Sequence, residues 1–194
     1  MSHENNIVKK PWGYEYLMYE NDKVALWFLF IDKNESTSMH CHPNKTTGLT
    51  LLEGEVNVSF LSDVKNLKPF SKIMIRKGLF HSTKAISNSG AFVLEIETPV
   101  DKQDLVRFKD SYGREGKPYE DSTFEYLKEN DCIWIENPAA GNSNDYKVGN
   151  VIMKVINIEN IDFFHTINDD KNVMFLDGGI VAEYGTNVAG PGDI

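Results

Sequence analysis

The sequence predicts an all-β protein, either a sandwich or a barrel of antiparallel strands. Between residues 14 and 100 the chain is a series of short segments rich in Val, Ile, Leu, Phe and Thr. Asn, Asp, Gly, Lys and Ser separate these segments at intervals of about ten residues, which is the spacing of strands and turns in all-β domains. In addition, Gly54 lies between two such segments, flanked by Glu53 and Glu55, as a tight hairpin turn requires.

Each predicted strand is a run of β-branched and aromatic residues that ends at turn-forming residues. The strands predicted in the first part are 14–19, 24–31, 38–42, 48–52, 55–61, 72–75 and 92–97. After them we predict a short helical turn at 101–105 and a helix at 122–129, where Ser122 and Glu125 have the spacing of a capping box. Residues 137–145 have the composition of a long loop. Strands are predicted again at 148–158 and 173–184.

The later strands repeat part of the earlier pattern. Residues 175–181 parallel residues 51–57, and residues 190–193 parallel the turn around Gly78. This similarity is either a chance likeness of two hairpins or a partial repeat that packs on the first barrel, and we favour the repeat. Because it has no counterpart of His81, the repeat is predicted to be non-catalytic.

Charge is distributed unevenly along the chain. Residues 1–100 contain 11 basic and 11 acidic residues, whereas residues 101–194 contain 9 basic and 18 acidic residues, so the second part carries the whole net charge of −9. A chain with this balance repels phosphate backbones and anionic membranes, so neither a nucleic acid nor a membrane is expected as a partner. A few local cations could still hold a small anionic substrate.

Two further features bear on where the protein works. Cys41 and Cys132 are too few for a disulfide framework, so free thiols are expected. The apolar runs are far shorter than the roughly 20 residues that span a bilayer. We therefore expect a cytoplasmic protein.

Three of the five histidines have the pattern of a metal site. His40 and His42 lie two residues apart on one predicted strand, so both imidazoles project from the same face while Cys41 points away. His81 follows a glycine turn and becomes the third ligand if strand pairing brings it alongside. Neutral imidazoles suit Zn, Fe, Ni, Mn or Co without selecting one divalent transition metal. The alternative interpretation is a pair of surface histidines on an edge strand.

The residues around these histidines resemble both halves of the signature of the cupin family. Residues 38–42 (SMHCH), followed by Gly54, resemble the first half, and residues 76–81 (RKGLFH) resemble the second. The resemblance implies a jelly-roll antiparallel β-barrel with a metal bound inside. It also implies a homodimer, since cupins commonly pair through barrel edges and unpaired edges need covering.

A narrower resemblance is to the cupin-type mannose-6-phosphate isomerase domain that often follows a mannose-1-phosphate guanylyltransferase in polysaccharide pathways. It is carried by residues 9–15 (KKPWGYE), 94–98 (LEIET) and above all 104–114 (DLVRFKDSYGR). That family is a metal-dependent aldose–ketose isomerase acting on a sugar phosphate.

The chain departs from the family pattern at several positions. Thr47 stands where cupins have a carboxylate ligand, which leaves a site of three histidines at best. Arg76 replaces the proline of the second half-signature. His40 stands where the isomerases commonly have glutamine, which moves the chain toward the general cupin pattern.

Glu95 and Glu97 are the catalytic candidates, because isomerisation needs a base that moves a proton between adjacent carbons. They alternate with Phe92, Leu94 and Ile96 and therefore share one face of a predicted strand. If that face lines the barrel, burial could raise a carboxyl pKa toward neutrality. If it faces water, both side chains are merely solubilising. The resemblance favours Glu95, which matches a glutamate of the family's similar strand.

Cations near the histidines are the candidates for substrate binding. Lys45 follows His42 closely, and Arg76 and Lys84 lie near His81 in sequence. Arg107 is added by the resemblance. The alternative for each is an ordinary solvated side chain.

Taken together, these observations predict a cupin β-barrel at 9–100, an extension and linker at 101–146, and a partial β-repeat at 147–194. The expected function is that of a metal-dependent enzyme acting on a small anionic carbohydrate, a sugar phosphate or nucleotide sugar, by aldose–ketose isomerisation. Two alternatives stay open. One is a three-histidine iron dioxygenase, and the other is a non-catalytic sugar-binding or accessory protein.

Overall fold

The computed structural model describes residues 7–117, 119, 132–168 and 170–194. Short β-strands dominate the described part of the chain. Those of the first part are β1 (Ile7–Lys10), β2 (Gly13–Glu20), β3 (Ala25–Ile31), β4 (Met39–Cys41), β5 (Thr46–Glu53), β6 (Val56–Phe60), β7 (Val64–Leu67), β8 (Lys72–Ile75), β9 (His81–Ala85), β10 (Ala91–Thr98) and β11 (Val106–Lys109).

These strands form two antiparallel sheets. One has the order β1-β2-β3-β10-β5-β8 and the other β11-β4-β9-β6-β7. The eight strands from β3 to β10 are divided between the two sheets. Their orders are β3-β10-β5-β8 and β4-β9-β6-β7, which is the strand order of a double-sheet jelly roll. The predicted all-β jelly roll is confirmed.

The central strands of the six-stranded sheet are buried on both faces. On β3, Trp27 and Leu29 point inward to the jelly-roll core, whereas Leu26 and Phe28 belong to a second apolar cluster on the outer face. Residues from Cys132 onward cover that outer face. Because both faces are buried, β3 reads as an unbroken apolar run rather than as an alternating one.

The covering segment contains a second set of short elements. They are β12 (Ser143–Val148), β13 (Val151–Ile156), a 3-10 helix (Ile161–Thr166), β14 (Ile180–Val181) and β15 (Asn187–Ala189). Asn21 Nδ2 donates to the Leu176 carbonyl at 2.9 Å, and an ion pair joins Lys23 to Asp177, so the segment is tied to the turn between β2 and β3. The acidic part of the chain is thus a β-rich extension packed on the jelly roll. The division at residues 100 and 146 stays a prediction.

The predicted elements agree best where strands are apolar. All seven first-part strands match within two residues at each end, and the segment 38–42 corresponds to β4. Four strands of the first part were not among those predicted. Three of them, β1, β7 and β11, are short edge strands that carry several polar residues, and the fourth, β9 (HSTKA), is a central strand in which four of the five residues are polar. Residues 101–105 form an irregular turn instead of a helical one, and β12 begins inside the predicted loop at 137–145.

Two other predictions have different outcomes. The helix predicted at 122–129 lies outside the described residues. Of the strand predicted at 173–184, only β14 is present. None of the helical segments in the described ranges is long and apolar enough to cross a membrane.

Candidate metal centre

The fold brings the three predicted histidines together inside the jelly roll. His40 lies on β4, His42 follows that strand directly, and His81 begins β9, where it pairs in register with His40. One ring nitrogen from each imidazole lies within 4.8 Å of those of the other two. The antiparallel pairing anticipated from the spacing is therefore what assembles the triad.

Each imidazole is held in the same tautomer by a backbone carbonyl. The Nδ1 atoms of His40, His42 and His81 lie 2.8, 2.7 and 3.0 Å from the carbonyl oxygens of Ser38, Asp104 and Leu79, respectively. Since a carbonyl oxygen only accepts, each Nδ1 must be the donor, which leaves the lone pair on Nε2. This is the arrangement by which proteins orient metal-binding histidines.

The electrostatics of the triad also fit a metal ion. Burial lowers the pKa of all three imidazoles, to about 4 for His81, and the neighbouring imidazoles lower that of His40 further. The three rings are therefore neutral at pH 7, as ligands must be. His42 Nε2 is buried with no hydrogen-bond partner, an arrangement that is costly unless something binds there. The residues present thus fit a divalent transition metal.

Two carboxylates approach the triad from the six-stranded sheet. On β10, Ala91 and Val93 point into the core, and Glu95 and Glu97 continue the same inward face toward the histidines. Carboxylate oxygens of both lie within 4.8 Å of a His42 nitrogen and of each other. Of the two alternatives for this face, the structure shows the one that lines the barrel.

Their environments drive the two carboxyl pKa values apart. Burial and, after it, the charge of the adjacent Glu97 raise the pKa of Glu95 to about 7. Burial also acts to raise the pKa of Glu97, but Lys102 and Lys45 outweigh it and lower that pKa below its ordinary value. Lys45 Nζ donates to Glu97 Oε1 at 2.6 Å, and both side chains are almost fully buried. One carboxylate is therefore ionised while its neighbour can exchange a proton near neutral pH.

A cavity that opens to solvent adjoins this cluster. Cations outnumber carboxylates in its lining, which includes Lys10, Lys45, Lys102, Arg107 and Arg114 against Glu15, Glu95 and Glu97. Lys102 Nζ lies 3.2 Å from Glu15 Oε1 and 3.5 Å from the centre of the Trp27 ring. Among the described residues, the lining of the cavity thus carries a net positive formal charge, whereas the whole protein has a net charge of −9.

The substrate-binding residues predicted from sequence divide into two groups. Lys45 and Arg107 line the cavity. Arg76 and Lys84 do not, which corrects the expectation that nearness to His81 would place them there. Lys84 is exposed on the opposite face of β9 from His81 and Thr83, and Arg76 is exposed in the turn that follows β8.

Three residues that line the cavity were not predicted from the sequence: Lys10, Glu15 and Lys102. Lys10 and Glu15 lie in the segment 9–15 that carried part of the family resemblance, so a signal for them existed. Lys102 lies after β10 in the segment 101–117, which crosses the mouth of the barrel and which we call the strap. Nothing in its local pattern distinguishes it from a solvated lysine.

Asp104 joins the strap to residues 42–45, which follow β4 and include His42. Its Oδ2 accepts from the backbone N–H groups of Asn44 and Lys45 at 2.8 and 3.0 Å, and its carbonyl accepts from His42 Nδ1. The β11 strand of the strap then pairs with β4 along the edge of the smaller sheet. Cavity cations and the His42 imidazole are therefore positioned by one continuous segment.

Comparisons with known proteins show likeness of fold only. No family model matches the sequence, and no curated protein matches it. Among solved structures, KdgF of a Halomonas species is 14% identical with a TM-score of 0.47, and the match covers 52% of this chain and 92% of that one. An RmlC-like cupin of Shewanella frigidimarina is 16% identical with a TM-score of 0.46, over 53% of this chain and 90% of that one.

A third similar structure is an uncharacterised protein with a double-stranded β-helix domain from Klebsiella pneumoniae. It is 13% identical with a TM-score of 0.46, and the match covers 50% of this chain and 79% of that one. Double-stranded β-helix is another description of the jelly roll seen in the strand order above.

Proposed function

We propose that this chain, which has the cupin fold, is a metal-dependent enzyme that isomerises an aldose and a ketose carrying an anionic group. The observation that carries the proposal is the pairing of two features in one cavity. Three imidazoles present Nε2 lone pairs together, and Glu95, with a pKa of about 7, lies beside them. The first feature fits a Lewis acid and the second fits a general base.

His40, His42 and His81 would hold the divalent metal. When bound, it would supply Lewis acidity that makes the proton on the carbon beside a sugar carbonyl easier to remove. Glu95 would take that proton, the C–H electron pair would form the carbon–carbon double bond of an enediolate, and the carbonyl π pair would move onto the carbonyl oxygen. Returning the proton to the neighbouring carbon, together with transfer of the hydroxyl proton from one oxygen to the other, completes the exchange of aldehyde and ketone, so no oxidant or reductant is consumed.

Glu97 and Lys45 support this role for Glu95. Burial keeps a proton on Glu95 up to about neutral pH, and the charge of Glu97, which buried cations hold ionised, adds to that effect. A base with a pKa near the working pH is present in useful amounts in both protonation states. The same pair of carboxylates also gives the deep end of the cavity a negative charge.

The anionic group of the substrate would bind at the other cations of the lining. Arg107 and Lys102 both belong to the strap and both line the cavity, and Lys10 reaches it from β1. Lys10 and Lys102 both pair with Glu15, at 3.7 and 3.2 Å. The excess of cations over carboxylates among the described lining residues supports a phosphate or similar anion as part of the substrate.

Metal content tests the triad. His42→Ala is expected to remove most of the metal found by elemental analysis in protein purified without added metal, because two imidazoles do not complete a site. His165→Ala is the matched control and is expected to retain the metal, since His165 lies in an exposed position of the 3-10 helix. Equal metal content in both variants would place the metal elsewhere, and a metal-free wild type would end the proposal.

Proton exchange tests Glu95. In deuterated water, wild-type protein with mannose 6-phosphate or fructose 6-phosphate is expected to exchange the hydrogen beside the carbonyl. Glu95→Gln is expected to lower that exchange by about 100- to 10,000-fold, the usual contribution of a general base, while metal content stays unchanged. Undiminished exchange in the variant would remove Glu95 as the base.

Sugar binding without exchange in the wild type would favour an accessory sugar-binding role, and oxygen uptake with Fe(II) would favour a dioxygenase.

A further inference from the structure

The position at which cupins carry a carboxylate ligand is filled by a residue that cannot serve as one. Thr47 on β5 is fully buried, and its Oγ1 has no hydrogen-bond partner. Its register partner on the adjacent strand β10 is Glu97. Directly opposed residues on neighbouring strands have side chains about 5 Å apart on the same face. The Glu97 side chain therefore lies beside Thr47, the position at which a carboxylate ligand is missing.

Glu97 also lies within reach of the histidine triad. One of its oxygens is within 4.8 Å of a His42 nitrogen, and His42 belongs both to the three-histidine cluster and to the cluster with Glu95 and Glu97. The Nδ1 of His42 is occupied by the Asp104 carbonyl, and its buried Nε2 has no partner. A carboxylate and a histidine whose buried Nε2 has no partner among the described residues therefore lie in the same cluster of the core.

The balance of buried charge also favours Glu97 as a metal ligand. A divalent ion among three neutral imidazoles would be buried together with the Lys45 ammonium, and concentrated positive charge in a low-dielectric interior is costly. Glu97 is the carboxylate in contact with Lys45, which binds its Oε1. A carboxylate has two oxygens and about four lone-pair sites, so one oxygen can stay with the ammonium while the other serves as a ligand.

We propose that Glu97 supplies the carboxylate ligand of the metal centre, from β10 instead of β5. This inference rests on the proposed metal centre and makes it a site of three histidines and one glutamate. Thr47 is then the small neighbour that leaves room for the Glu97 side chain, and Lys45 is the cation that orients it. Glu95 is left as the base.

The test is the affinity for Co²⁺, measured by competition with a chromophoric chelator, together with the visible absorption spectrum of the bound ion. Glu97→Gln is expected to weaken Co²⁺ binding more than about 100-fold, beyond the roughly 10- to 100-fold cost of losing a group that only orients a ligand. The spectrum is expected to change because the ligand set changes. Glu95→Gln is the matched control from the same strand and is expected to leave both affinity and spectrum close to wild type.

The double variant Lys45→Met with Glu97→Gln separates ligation from charge compensation. If Glu97 only offsets the lysine charge, removing both charges restores wild-type affinity and overturns the inference. If Glu97 is a ligand, the double variant stays weak although it no longer contains an unpaired buried lysine. If Glu97→Gln binds Co²⁺ as well as the wild type does, the assignment of Glu97 as a ligand is wrong but the metal centre stands. If the wild type binds no Co²⁺, the proposed metal centre is wrong as well.

Discussion

Glu95→Gln is expected to stabilise the metal-free protein at pH 9, although the residue lies in the proposed catalytic centre. The pKa of Glu95 is about 7 in the folded protein against 4.5 for an ordinary glutamate. Each pKa unit corresponds to about 1.4 kcal/mol, so the ionised carboxylate lowers the free energy of unfolding by up to about 3 kcal/mol. Glutamine has a similar shape and does not ionise, which removes this cost.

Because the pKa of Glu95 is raised in the folded protein, the stability difference between Glu95→Gln and the wild type grows as pH rises. Below about pH 4.5 Glu95 is protonated in both the folded and the unfolded protein, so the variant and the wild type should be equally stable. Between pH 4.5 and about 7 the unfolded chain ionises first, and stability of the wild type falls as pH rises. Urea unfolding in the presence of a chelator at pH 4.5, 7 and 9 measures the difference. A gap that fails to grow between pH 4.5 and 9 would contradict the raised pKa.

Glu97→Gln provides the control with the opposite sign. It leaves Lys45, which is 1% exposed, without its ionised partner at 2.6 Å. Breaking one side of a buried pair typically costs about 3–5 kcal/mol, and replacing both members with uncharged residues returns much of that stability. The double variant with Lys45→Met should therefore unfold at a higher urea concentration than Glu97→Gln alone.

Gly54→Ala is expected to destabilise the protein by about 4 kcal/mol or more. Gly54 forms the hairpin between β5 and β6 with φ at +90°, and an added Cβ would lie 2.4 Å from the carbonyl oxygen of Gly90. The left-handed conformation and the backbone clash add together, and backbone cannot move aside as a flexible side chain can. The measurement is the free energy of unfolding of the variant, with circular dichroism to confirm that it folds.

Gly78→Ala isolates the conformational part of that loss. Gly78 also has a positive φ, +70°, in the turn before His81, but an added Cβ there meets no atom within 4 Å. Its expected cost is about 1–2 kcal/mol, the usual penalty for a side chain in the left-handed region. Equal losses at the two glycines would show that the close approach of Gly54 to Gly90 contributes nothing.

The histidine site was open to prediction because its geometry follows from local rules. A spacing of two residues on a strand fixes the common face of His40 and His42, and the same rule fixes the common face of Glu95 and Glu97. The rule does not say which face is inward. That depends on β10 lying between β3 and β5, which pairs it with two segments that lie about forty residues or more earlier in the chain.

Other features needed information that the local sequence does not hold. Lys84 was placed by its nearness to His81, whereas a separation of three residues on β9 points the two side chains to opposite faces. Lys102 and Glu15 are distant in sequence and come into contact only through the packing of the strap against β2. The neighbour relation of Thr47 and Glu97 follows from the register of β5 against β10, which turn lengths and core packing set together.

The six-stranded sheet has no solvent-facing side along β3. In most antiparallel sheets every second residue of a strand is free to vary, since it points to water. Here Trp27 is 2% exposed on the inner face and Phe28 is 4% exposed on the outer face. Polar substitutions at consecutive positions of this strand should therefore be comparably harmful, so its tolerance to mutation should show no period of two. A deep mutational scan would see β3 as an uninterrupted block of intolerant sites.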